Sequence, residues 1–349
     1  MTMGGIAVAV AEPVVERVQP SASSRNDALD FTKGALVLIM VLYHWLNYFV
    51  TLEWDLYRYL RFLTPSFIFI TGFIVSNVYL GKGTSPDRRT YRRLLVRGGK
   101  LLLLFTLLNV AIGSVMSRNY NGGDLSVAAF ASNAYDVYVT GNGRAAFDVL
   151  VPISYFLLLA PFLLYASDRF RLSLPGIGAA AVTTALVASA TGRTSVNLEL
   201  VSTAMLGMAI GTCPIGRINA LLRRPLPLLA AYALYLLAVT RWNVLFPVQV
   251  VGVCLSVALI YLGGVAWGSK GSVQRQVIEL GKYSLFAYIG QVVLLQLLHR
   301  GLQGFGLHGV QQLIPFAAAL VLTVAVVQMT SAARSTSSVV DRVYRVVFA

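Results

Sequence analysis

Charge is what this chain has least of. Only 12% of its 349 residues are Asp, Glu, Lys or Arg, where a soluble domain carries roughly a quarter. With 57% of residues hydrophobic, that shortage excludes a water-soluble globular body and makes lipid the solvent. Cysteine is almost missing: Cys213 and Cys254 are the two present, in separate apolar stretches. They exclude a disulfide framework and a thiolate metal site, and read as buried, inert thiols. Histidine is nearly as rare. Of the three, His299 and His308 flank a Gly-rich turn without nearby Cys or carboxylates, so they build no metal site and read as solvated loop residues. Internal repeats of the kind that mark inverted-repeat transporters are also missing.

What is present is a succession of apolar runs with short polar breaks. They predict transmembrane helices near 33–51, 60–81, 95–115, 146–166, 173–190, 197–213, 225–241, 244–267, 281–299 and 311–331. The expected fold is all-α: a polytopic membrane protein of about ten transmembrane helices. The basic residues set its direction. With the N-terminus inside, Arg58, Arg61, Arg118, Arg144, Arg193, Arg241 and Arg300 are the seven of 28 Lys and Arg left outside, as the positive-inside rule requires. Both termini are then cytoplasmic, and the chain is a multi-pass protein of the cell (inner) membrane. Residues 1–24 lack a basic n-region before their short apolar patch, so they read as a mobile cytoplasmic tail rather than a signal peptide. Residues 25–333 form the membrane domain and 334–349 a second cytoplasmic tail. One long outer segment, Arg118 to Arg144, is rich in Asn, Gly, Ser and Tyr. It suits hydrogen bonding to a hydroxylated ligand, or serves as a plain connector.

The net charge of +14 does not indicate nucleic acid, because the basic residues fall between apolar runs rather than on a separate basic segment. Two constellations bear on chemistry. His44 lies in the strongly apolar stretch Leu38 to Trp45, where an ionisable group is costly and marks function by default; polar glue between helices is the other reading. Lys33 precedes it by eleven residues and Asp30 by fourteen, so the three share nearly one helical face, with Lys33 about 16 Å from His44 along the axis. Such a stripe suits a long ligand entering from the cytoplasm. Asp30 and Lys33 also fit a simple helix-end ion pair. The second constellation, Arg88 to Lys100, places Arg89, Arg93 and Arg97 at four-residue spacing, able to bind phosphates bidentately or to anchor the chain among anionic lipids. Arg97 and Lys100 favour phosphates, because they reach the apolar run where an anchor would have stopped.

The segment Arg25 to Gly34 followed by His44 resembles the opening of the acyltransferase type 3 superfamily, whose first helix carries an arginine, ten residues, then a histidine. Here Lys33 takes the arginine's place. Pro65-Ser66-Phe67-Ile68-Phe69-Ile70-Thr71-Gly72-Phe73 resembles the family's phenylalanine-rich second helix, and the Arg-rich entry to the next helix follows where expected. Leu280 to Tyr288 resembles its late motif, with Gln291 where many relatives have histidine. Phe147 to Pro152, through Pro161, leans towards the branch of the periplasmic glucan succinyltransferase and heparan-alpha-glucosaminide N-acetyltransferase relatives.

The resemblance implies transfer of an acetyl or succinyl group from cytoplasmic acyl-CoA to a hydroxyl or amine of an extracytoplasmic carbohydrate, with no metal. His44 fits a general base or a transient acyl carrier. Lys33, Arg93 and Arg97, with Arg92 a weaker candidate, would hold the donor's phosphates, and Asp148 would orient the acceptor or be an ordinary interfacial acid. A partner that fixes the His44 tautomer is also expected. The competing function is a secondary transporter of an organic anion, with a non-catalytic channel or scaffold behind it. A homo-oligomer is compatible with the sequence.

Overall fold

The computed structural model describes residues 26–50, 54–79, 87–115, 126–143, 145–170, 172–242, 244–268, 271–302, 305 and 309–348. The segment 1–24 expected to be a tail lies outside them. All regular structure among the described residues is helical. In order the α-helices are α1 Asp27–Trp45, α2 Trp54–Tyr57, α3 Leu63–Tyr79, α4 Arg88–Val115, α5 Val127–Ser132, α6 Leu150–Phe170, α7 Leu174–Ala190 and α8 Val196–Ile210. They continue with α9 Ile215–Leu222, α10 Pro225–Arg241, α11 Phe246–Trp267, α12 Ser272–Lys282, α13 Ser284–Leu302, α14 Leu313–Thr336 and α15 Ser338–Phe348.

Each predicted span coincides with one of these helices. Seven are long and apolar enough to cross a membrane, and an eighth counts if α8 and α9 are taken together. Helices α7 and α10 are apolar but shorter. Between α8 and α9 the chain bends by 95°, where Gly211 ends one helix and Pro214 opens the next. A proline cannot continue the i→i−4 ladder, so the break falls there. Cys213, at this bend, is exposed, a correction to its reading as a buried thiol.

Local chemistry sets the helix starts. Asn26 caps α1 by accepting from the Leu29 N–H at 3.1 Å, and Asp27 and Asp30 place negative charge at the positive end of the helix dipole. Ser173 caps α7 and Ser195 caps α8 in the same way. In lipid no hydrophobic force draws helices together, so close approach through small residues must. At Gly281 a Cβ would overlap the Asp30 carbonyl, and at Gly34 the Val277 carbonyl, so α1 and α12 cross backbone to backbone. Gly72 and Gly207 do the same for α3 and α8. The first of these crossings fixes the helix that carries Asp30, Lys33 and His44.

Two regions depart from the sequence reading. The segment expected outside, Arg118 to Arg144, is no open loop over its described residues from 126: α5 and a π-helical turn at Asp136–Thr140 fold it onto the bundle. His299 is not a loop residue either; it sits in the last turn of α13, half-buried, with its ring 5.9 Å from Tyr48 and 5.3 Å from Phe49. His308 lies outside the described residues.

Candidate active site

Helix α1 opens into a π-helical turn, Leu46–Val50, one residue beyond His44. Such turns widen a helix by one residue and recur at functional sites. Here it aims Tyr48 back at the imidazole, with ring centroids 6.5 Å apart. Tyr288 from α13 faces the same imidazole at 6.3 Å, and Tyr43 stands edge-on at 5.3 Å. His44 Nε2 is buried with no hydrogen-bond partner. A buried polar atom left unpaired costs about 1–3 kcal/mol, which points to a group that meets a ligand rather than to interhelical glue.

A cavity of about 330 Å³ opens beside this cluster. Lys33, Arg97 and Lys100 stand on its wall, together with Phe67, Leu94, Leu150 and Tyr288. Lys33 comes from the second turn of α1, Arg97 and Lys100 from the third and fourth turns of α4, and Tyr288 lies one turn into α13. Tyr288 therefore borders the cavity on one side and His44 on the other. Lys33 also forms an ion pair with Asp30, Nζ to Oδ1 at 2.6 Å, and Asp30 is buried. The pair expected from three-residue spacing and the cavity wall expected from the polar stripe thus coexist in one side chain. Arg92 and Arg93 are exposed on α4 and are not among the residues lining this cavity.

Asp148, beside Phe147, adjoins the same cluster. The Val149 N–H donates to its carboxylate at 2.8 Å, and it lines a small pocket with Val137, Gly141 and Asn197. It is near enough for its charge to bear on the hydroxyls of Tyr43 and Tyr288. Its placement depends on Phe147, which among the described residues is the one non-glycine with a left-handed backbone, φ 58°. That conformation is strained for a bulky residue and needs an outside constraint. Buried Asn109 of α4 supplies it: its Nδ2 donates to the Ala146 carbonyl at 2.9 Å, and its Oδ1 accepts from the Ala146 N–H at 2.9 Å. The turn so held lays Phe147 edge-on against Tyr288, centroids 6.0 Å apart. On the same side, Asn197 donates to the Tyr138 carbonyl at 3.0 Å, and Tyr155 donates to that carbonyl at 2.7 Å.

The sequence reading missed Asn109, Tyr43, Tyr48 and Tyr288 as parts of this site. Tyr288 carried a signal, as the last residue of the late motif. Asn109 had one too, since an amide in an otherwise apolar run is a group in need of partners. Gln291, three residues beyond Tyr288 on the same face, is buried with both amide atoms unpartnered.

The arrangement sets a cavity with three cations on its wall one tyrosine away from an imidazole whose Nε2 is unpartnered, with an acid and three tyrosines about it. It suits transfer of a group carried on a long anionic donor. No curated protein and no solved structure matches the chain. A family model described as an acyltransferase domain matches residues 26–331, from the α1 cap to the last third of α14, and the chain accordingly belongs to the acyltransferase type 3 superfamily.

Proposed function

We propose that this membrane acyltransferase takes an acetyl or succinyl group from acyl-CoA on the cytoplasmic side and passes it to a carbohydrate hydroxyl or amine presented from outside. The observation that carries this reading is the cavity whose wall holds Lys33, Arg97 and Lys100 and whose border residue, Tyr288, abuts His44. Its volume is near the lower end for small-molecule sites. It takes the slender thioester arm and leaves the nucleotide at the cationic mouth, where guanidinium and ammonium groups meet phosphates.

His44 Nε2 then accepts the proton of the acceptor hydroxyl as its oxygen attacks the thioester carbonyl. The C–S bond breaks, and the coenzyme A thiolate takes the proton back from the imidazolium. A carboxylate is suited to hold sugar hydroxyls, and Asp148, which adjoins the tyrosines around His44, would orient the acceptor.

Purified protein in lipid is incubated with radiolabelled acetyl-CoA or succinyl-CoA and a panel of glucose oligosaccharides. Label is expected to leave coenzyme A and appear on sugar or, with no acceptor, slowly in free acid. If label stays on coenzyme A while a labelled organic anion accumulates in sealed vesicles, transport replaces transfer. The structure offers alternating access little: one bent helix pair occurs among the described residues, where paired breaks in two repeats are the transporter pattern.

A further inference from the structure

Helix α15 has three chemically distinct edges. One faces the protein: Tyr344 packs on Tyr283 and Phe348 on Phe286, with ring centroids 5.3 and 5.4 Å apart. A second is charged, with Asp341 clamped between Arg334, 2.7 Å away, and Arg345, 2.6 Å away. The third is apolar and uncovered. Val339, Val343 and Val346, at four- and three-residue spacing, are 66%, 57% and 63% exposed. An isolated valine in water needs no explanation, but a stripe of three along one helix edge does.

Position supplies the partner. Helix α15 begins one residue after α14, which belongs to a helical stretch long and apolar enough to span the bilayer. Ser337 between them is extended, so the chain turns where the membrane ends. The charged edge offers Arg334, Arg342 and Arg345 against Asp341, an excess that matches an anionic headgroup layer. A helix with an apolar edge, a basic edge and little net hydrophobicity lies in the plane of the interface. The tip has a further consequence, because Val347 and Phe348 line the cavity that holds Arg97 and Lys100.

We propose that α15 seats its Val339, Val343 and Val346 edge in the anionic bilayer surface on the side where α14 ends, and that this seating holds Val347 and Phe348 against the mouth of the cationic cavity. The bilayer itself becomes part of the wall of that cavity. Neither the seat nor the closure depends on what the cavity binds.

Two readouts that require no substrate test this. In protein with Cys213 and Cys254 replaced by serine, an environment-sensitive fluorophore on Val343→Cys is compared in phosphatidylglycerol vesicles and in dilute detergent. A blue shift in vesicles and quenching by shallow doxyl-labelled lipid are expected. In the same background, Ser284→Cys on the cavity wall is reacted with a water-soluble maleimide. Its rate is expected to rise about tenfold when Val339, Val343 and Val346 are changed to Asp. Val343→Asp alone, which puts one charge in the middle of the stripe, is expected to act in the same direction. Lack of quenching, cross-linking of two copies through Val343→Cys in place of quenching, or an unchanged Ser284→Cys rate in both variants overturns the proposal. If the triple variant fails to fold, Val343→Asp and the quenching experiment decide alone.

Discussion

His44→Ala is expected to lower acyl transfer by about 10²–10⁴-fold, the usual contribution of a positioned general base, while donor affinity stays within about twofold. The split follows from the layout. His44 is not among the residues lining the donor cavity and meets it only across Tyr288, so its loss removes proton transfer without touching the walls that grip the donor. Tyr43, Tyr48 and Tyr288 crowd the imidazole, which makes the alanine variant a small cavity rather than a collapsed site. Turnover numbers with label on the acyl carbon, set beside equilibrium binding of a non-hydrolysable acyl-CoA thioether, check both halves. Weaker donor binding with an unchanged rate constant would reverse the assignment.

The second large effect concerns the cations. Arg97→Ala is expected to raise the donor KM by about 10–100-fold with little change in kcat, since hydrogen bonds to charged groups contribute about 1.5–3 kcal/mol. Arg93→Ala serves as the internal comparison. Four-residue spacing makes Arg93 and Arg97 equivalent in sequence, and both are exposed, but Arg97 lines the cavity and Arg93 does not, so Arg93→Ala, which removes no group from the cavity wall, is expected to stay within about threefold. Equal effects of the two would return the donor to the exposed face of α4. Lys33 is a poorer probe, because alanine there also strips buried Asp30 of its 2.6 Å partner and destabilises the helix start. Lys33→Arg keeps the charge and is the better variant.

Much of the fold is legible in the sequence for a physical reason: lipid demands that backbone polar groups be satisfied within each segment, so an apolar run of sufficient length has to be a helix. The runs from 33 to 331 each meet a helix at nearly the predicted place. The site is legible only where it lies along one helix. Asp30, Lys33 and His44 share a face by arithmetic, and Lys33 stands on the cavity wall. Contacts between helices are a different matter. Nothing in the periodicity of α4 places Asn109 against Ala146, or Tyr288 beside His44, because helix packing angles are set by where small residues such as Gly34 and Gly281 allow close approach. The outer segment eluded the reading for the same reason. Its polar composition suggests a loop, yet the buried side chain of Asn197 donates to the Val137 and Tyr138 carbonyls and draws it into the bundle.

One claim underlies the functional account: the arm of the donor runs along the cavity from the cations to Tyr288, and its reactive end stops beside His44. The most direct measurement is photo-cross-linking with an acyl-CoA analogue that carries a diazirine at the acyl terminus, followed by mass spectrometry of the labelled peptides in lipid. Label is expected on the α1 peptide around His44 and the α13 peptide around Tyr288, and excess coenzyme A is expected to suppress it. Suppressible label confined to the exposed arginines at the start of α4, or to helices that do not line the cavity, would contradict the account.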